Sequence, residues 1–194
     1  MYVESAINPD TCDDMALQLN TLAPNLDETG NPVRTYLYND DVIERLEFLL
    51  EPILERMCSY YGSQFKCIES FELEWVPSGA NINAHSENSE LISNKWYKTK
   101  NRDFTCVVFL SSGTDNVGDD EYDCLGGKLQ FVNYGFGIVP QLGDAICFPS
   151  DARFANSTSK VHDGDLIQVR VHITSKVPYI HDITAFPGTY KDWF

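Results

Sequence analysis

Basic residues are scarce in this chain: 14 Lys and Arg stand against 29 Asp and Glu, a formal net charge of −15. Neutralising a nucleic-acid backbone or an anionic membrane needs clustered Lys and Arg, so this balance argues against both and leaves solubility, or a cationic partner, as the reading. Long apolar runs are lacking too, and no stretch approaches the roughly 18 residues of a membrane span. The opening "MYVESAINPDTCDD" has neither a basic start nor an apolar run, which predicts a soluble, intracellular protein without a signal peptide. No CxxC pair occurs among Cys12, Cys58, Cys67, Cys106, Cys124 and Cys147. They read as reduced thiols, with Cys106 and Cys147 serving as small hydrophobes in apolar runs. "NST" at 156–158 fits a glycosylation acceptor, but with no secretion signal it reads as chance.

What is present suits one domain over 1–194, since 43% of the residues are hydrophobic and 12% aromatic. A compositional change near residue 63 separates a helical first part (1–63) from a strand-rich part (64–176), followed by a C-terminal extension (177–194). Residues 9–22 open with Pro9 and acidic residues and continue with Met15, Leu17, Leu19 and Leu22, predicting a helix. Asn39 or Asp40 caps a longer helix in which Ile43, Leu46, Leu50, Ile53, Leu54 and Met57 recur at three- and four-residue spacing, with a kink expected at Pro52.

Beyond residue 66 the period becomes two, and strands are predicted at 68–76, 104–111, 127–132, 136–139, 144–148 and 165–174. That spacing suggests an antiparallel sandwich or barrel. In the last strand Ile167, Val169, Val171 and Ile173 share one face, while Gln168, Arg170 and His172 share the other. An inward Arg170 requires an anion, and Glu72 or Glu74 is the natural partner. Residues 112–126, "SGTDNVGDDEYDCLG", read as an acidic loop that lacks the alternating ligands of a calcium loop.

In "NINAHSENSE", His85 and Glu87 are two apart, so in an extended segment both side chains leave one face and their donor atoms can converge on one ion. A lone H-x-E is equally a polar turn. The order "FELEWVPSGANINAHSE", "RDFTCVVFLS", "GGKLQF", "GFGIVPQLGDAICFPSD" and "VHDGDLIQVRV" resembles the iron(II)/2-oxoglutarate-dependent dioxygenases, in particular the prolyl 4-hydroxylase-like branch. The resemblance covers roughly residues 66 to 174. Arg102 and Thr105, then Gly126, Gly127, Leu129 and Phe131, then Pro140, Gly143 and Phe148 answer the family's strand motifs in order.

The resemblance implies a mainly β fold with N-terminal helices, a double-stranded β-helix or jelly roll. It also implies an oxygenase that uses Fe(II) and 2-oxoglutarate on an unidentified substrate, with His85 and Glu87 as metal ligands and Thr105 near the co-substrate. Glutamate departs from the family's usual aspartate. Two registers are open for the rest. One takes His162 as the third ligand and Arg170 as the co-substrate anchor. The other sets Val161 and Gly164 on the family's V-x-x-G, which puts Asn156 in the place of the distal histidine and Leu166 in the place of the anchor. Asparagine is a poor iron ligand and leucine cannot pair with a carboxylate, so the second register implies a degenerate jelly roll with a binding or assembly role. Its partner contact would be the acidic surface or the aromatic tail "AFPGTYKDWF". A cupin-like small-molecule binder is a third reading.

Overall fold

Helix formation in the first third follows from capping and spacing. In this computed structural model, which describes residues 1–19, 24–118 and 121–176, α1 (Pro9–Leu19) begins after Asn8, whose Oδ1 accepts from the Thr11 amide at 2.9 Å. Likewise α2 (Asp40–Tyr60) begins after Asn39, whose Oδ1 accepts from the Val42 amide at 3.1 Å. Each cap satisfies an amide that the first helical turn leaves open.

Helix α1 buries Cys12, Met15 and Leu19. That face turns Leu17, expected in the apolar stripe, out to 70% exposure, and Leu22 lies outside the described residues. Helix α2 buries Val42, Leu46, Leu50, Ile53, Leu54, Met57 and Cys58 and runs on through Pro52 without a break. The bond that proline removes belongs to the carbonyl of Phe48, a residue 81% exposed, on the side of the helix that water reaches.

The strands are β1 (Tyr2–Ser5), β2 (Thr35–Tyr36), β3 (Phe65–Pro77), β4 (Ile82–His85), β5 (Ser89–Ile92), β6 (Lys95–Lys98), β7 (Phe104–Phe109), β8 (Gly113–Thr114), β9 (Cys124–Gly126), β10 (Leu129–Phe131), β11 (Phe136–Ile138), β12 (Asp144–Pro149), β13 (Asn156–Thr158) and β14 (Val161–Ser175). The large sheet runs β1-β12-β7-β14-β3-β2, with β9 paired to the start of β14 and β8 to β9. The small sheet runs β11-β10-β13-β4, and β5 and β6 form a separate hairpin. The fold is thus mainly β, a jelly roll backed by helices.

Two cores result from the alternation of side chains. Ile167, Val169, Val171 and Ile173 of β14 join Phe71, Leu73, Cys106, Val108 and Cys147 in the core under the helices. The opposite faces of the large sheet meet the small sheet inside the barrel, where Val76, Val107, Phe109, Ile146, Phe148 and Leu166 pack with Leu129 and Phe131.

The structure departs from the sequence expectations in several places, with β4, β5, β6 and β13 among the strands not predicted. Residues 1–63, expected as helical support, also supply β1 and β2 to the large sheet, with Tyr2 opposite Cys147 and Thr35 opposite Leu73. The loop expected at 112–126 contains the parallel β8–β9 pair. The extension at 177–194, with its aromatic tail, lies outside the described residues. Among those residues all six cysteines are free thiols, five of them buried. Burial pushes the Cys12 and Cys124 thiols up to about 11 and that of Cys58 to about 12, which keeps them unreactive. No helix among the described residues is long and apolar enough to cross a membrane.

Gly143 fixes the turn into β12. Its backbone lies at φ +83°, and a Cβ there would fall 2.0 Å from the Ile7 carbonyl oxygen. Gly30 has the same φ with nothing within 4 Å, so it isolates the conformational part of the cost, about 1–3 kcal/mol. Gly143→Ala is expected to lower the urea midpoint clearly more than Gly30→Ala, and equal shifts would show that the close approach is unimportant.

Candidate functional site

Period-two alternation aims charged side chains into the barrel. On β3, Glu72 and Glu74 share the inward face with Val76. Their antiparallel neighbours on β14 are Arg170, Gln168 and Leu166. Arg102 and Arg170 are the two bulkiest fully buried side chains among the described residues. Such burial is tolerated only where each charge is paired and hydrogen-bonded.

His85 closes β4 and lies opposite Asn156 of β13. Two residues further, the carboxylate of Glu87 is 1% exposed and meets two guanidinium groups. Arg34 donates from Nη1 to Oε2 at 2.6 Å and from Nη2 to Oε1 at 3.2 Å, and Arg170 donates from Nη1 to Oε1 at 2.6 Å. Asn156 is fully engaged beside them. Its Oδ1 accepts from Arg170 Nη1 at 2.9 Å, and its Nδ2 donates to Glu87 Oε1 and to the Phe154 carbonyl, both at 3.3 Å. Arg170 Nε donates to Glu74 at 2.6 Å, and Glu74 also accepts from Gln168 and from Arg34 Nε.

His85 is engaged at both ring nitrogens. Nδ1 stands 2.8 Å from the Asn83 carbonyl, which only accepts, and Nε2 receives the Arg34 Nη2 donor. Nδ1 therefore carries a proton, and Nε2 stands between the Arg34 donor and the Glu87 carboxylate, 3.0 Å from its Oε1.

The rest of the cluster is a second ionic layer. Arg102 donates to Glu69 and to Glu72, each at 2.6 Å. Thr105 shares its hydroxyl with Ser150 at 2.7 Å and with His172 Nδ1 at 3.1 Å. His172 Nε2 stands 3.2 Å from Glu72 Oε2, close but misaligned for a hydrogen bond.

Electrostatics follow from this packing. Burial alone would raise the carboxyl groups, but for Glu74 the charges of Arg170 and Arg34 outweigh it and hold the group at about 2. Glu87 is driven well below the ordinary range by Arg34 and Arg170 against the same burial. Glu72 also falls to about 2 against burial, with His172, Arg102 and Arg34 opposing it. Burial lowers the His172 pKa, against the pull of Glu72 and Glu87. Burial disfavours the charged form of Arg34, but Glu74 and Glu87 prevail and raise its pKa.

The structure brings His85, Glu87, Asn156, Arg170 and Thr105 into this one region of the barrel. It does not bring His162 there. The register of β14 shifts between Val161 and Asp163, and Gly164 follows at φ +70°. Val161 therefore enters the apolar core and His162 turns outward, exposed beside Gly126. Leu166 is buried among Val76, Val107, Phe109 and Phe148. The sequon at 156–158 is closed to modification, since Asn156 is fully buried.

These residues do not fit iron(II) and 2-oxoglutarate. A facial iron site needs two imidazoles and a carboxylate with open positions. Here His85 supplies one imidazole opposite Asn156, while the second, His172, stands 4.0 Å from Glu87 Oε2 and is turned toward Glu72 and Thr105; Glu87 has both oxygens engaged by guanidinium groups, and the Asn156 amide oxygen is taken by Arg170. Among the described residues no three His, Cys, Asp or Glu side chains converge as a metal site. Arg170 is neutralised by Glu74 and Glu87, and Leu166 offers no charge to a co-substrate carboxylate. Arg34 is the residue that sequence reasoning missed. Its partners lie 40 to 53 positions away, and no local pattern marks it. The only signal was arithmetic, since three inward carboxylates call for more than one inward arginine.

The sequence matches no protein-family model and no curated protein. Solved structures do share its fold. A viral collagen prolyl hydroxylase from Paramecium bursaria Chlorella virus-1, in a 2OG complex, is 17% identical with TM-score 0.67, over 91% of this chain and 97% of that one. A prolyl-4-hydroxylase from Pseudomonas putida is 13% identical with TM-score 0.65, over 91% and 92%. A prolyl hydroxylase from Trichoplax adhaerens, bound to a hypoxia inducible factor oxygen degradation domain peptide, is 14% identical with TM-score 0.61, over 89% and 82%. The likeness shows that this chain has the jelly-roll fold of the iron/2-oxoglutarate oxygenases.

Proposed function

We propose that this chain is a catalytically degenerate jelly roll of the oxygenase fold, in which an ion-pair core has replaced the iron centre and the barrel serves binding or assembly. The observation that carries this reading is Glu87 held by Arg34 and Arg170, with Asn156 rather than a histidine across from His85. The net charge of −15 favours a partner with a basic surface. Residues 185–194 are a candidate contact, and their deletion should weaken assembly while the domain stays folded.

The retained His85–Glu87 pair and the likeness to hydroxylases favour a second reading, an active oxygenase with Arg170 released from its carboxylates to anchor 2-oxoglutarate. Anaerobic addition of iron(II) and 2-oxoglutarate separates the two. The degenerate reading expects no metal-to-ligand absorption band and no succinate once oxygen is admitted. A band that His85→Ala abolishes would establish the oxygenase.

A further inference from the structure

We propose that His85, Glu87 and Glu74 form a seat for a guanidinium group, which Arg34 fills from within the chain. The inference rests on the reading of the centre as an ion-pair core and names the ligand class that the core accepts.

All three nitrogens of Arg34 are engaged. Nε donates to Glu74, Nη1 to Glu87 Oε2 at 2.6 Å, and Nη2 to Glu87 Oε1 at 3.2 Å and to His85 Nε2. The acceptors are spread around the rim of a flat cation, and the Glu87 contact is a two-pronged fork. A metal ion needs the opposite arrangement, with donor atoms converging on a point.

Charge makes the same case. Among the buried groups, Glu72, Glu74 and Glu87 carry three negative charges, against which Arg102, shared with the exposed Glu69, and Arg170 bring two positive ones. Arg34 brings the inner cluster to neutrality. The seat also has a way in. The Arg34 side chain is 20% exposed, whereas those of Glu74 and Glu87 are 0% and 1%. It stands directly before β2, a two-residue edge strand. Removing the side chain would therefore leave an electronegative recess open to solvent, shaped for a guanidinium ion.

The test is thermal unfolding of Arg34→Ala at low ionic strength with methylguanidinium chloride, sodium chloride or manganese(II) chloride, each at millimolar concentration. Methylguanidinium should raise the midpoint of the variant saturably by about 3–6 °C, as for a ligand approaching tenfold over its dissociation constant. The wild type should not move, and the other two salts should not reproduce the rise. No saturable rise, or a larger one with manganese(II), would overturn the seat.

If Arg34→Ala does not fold, nitrogen-15 spectra of the wild type decide the matter. The arginine Nε–H signal that Arg34→Lys removes should exchange slowly with water, and fast exchange would overturn the proposal. An iron and 2-oxoglutarate band in the wild type would end the reading of lost catalysis. Failed rescue in a protein without that band would end only the guanidinium seat.

Discussion

Arg170→Met is expected to cost about 3–5 kcal/mol of stability at neutral pH, read as a large drop in the urea midpoint. Methionine fills a comparable length of the barrel without charge, so the loss is chiefly electrostatic. Arg170 is fully buried and lies 2.6 Å from both Glu74 and Glu87. Without it, two buried carboxylates share the single guanidinium of Arg34, and Asn156 loses the donor to its Oδ1. An uncompensated buried charge takes up a proton instead. The defect should therefore shrink in acid, and Glu74→Gln in the Arg170→Met background should recover part of it. A double-mutant cycle between Arg170 and Glu74 measures their coupling. A loss under about 1 kcal/mol would mean that the ion pairs are interchangeable with apolar packing, an outcome known for some buried pairs.

Acid should unfold this protein in two stages. His172 has a folded pKa below its ordinary 6.5, so the unfolded chain binds its proton more readily. The stability linked to the neutral ring is present above about 6.5 and is lost as pH falls below that value. The larger stage belongs to the carboxylates. Glu72 and Glu74 fall from an ordinary 4.5 to about 2 in the folded chain, and each shift corresponds to about 3 kcal/mol. That contribution is complete above the unfolded value near 4.5 and disappears as pH falls through about 2. Because the two share Arg34, their contributions do not simply add. Urea midpoints measured from pH 7 down to about 2 should show a shallow decline followed by a steep one. Glu74→Gln should reduce the steep stage, and His172→Gln should remove the shallow one. A flat profile between pH 5 and 3 would contradict the buried carboxylate cluster.

The parts legible in the sequence were those in which burial repeats at a fixed period. The stripe of α2 and the alternation of β14 could be read because each buried position is followed by another three, four or two residues on. The ordered strand motifs between residues 66 and 174 pointed to the jelly roll. Reading was weakest where one local event changes the pattern. The register shift at Val161 reverses the face of β14, and a count that ignores it places His162 inside the barrel. β1 was invisible because four residues with two half-buried positions carry almost no periodic signal, and its place is set by pairing with β12, far along the chain. Arg34 was invisible for a related reason: its role depends on three acceptors, Glu74, His85 and Glu87, that only the closed barrel assembles. Asn156 and Leu166 drew notice only through one alignment of the V-x-x-G motif in the resemblance, at Val161 and Gly164. The outward placement of His162 depends on the bulge between Val161 and Asp163.

A crystal structure grown with manganese(II) and 2-oxoglutarate would test the central claim most directly. The account expects the guanidinium groups of Arg34 and Arg170 on Glu87, Asn156 across from His85, and neither additive between them. A metal ion held by His85 and Glu87, with Arg34 displaced toward solvent and 2-oxoglutarate on Arg170, would contradict it.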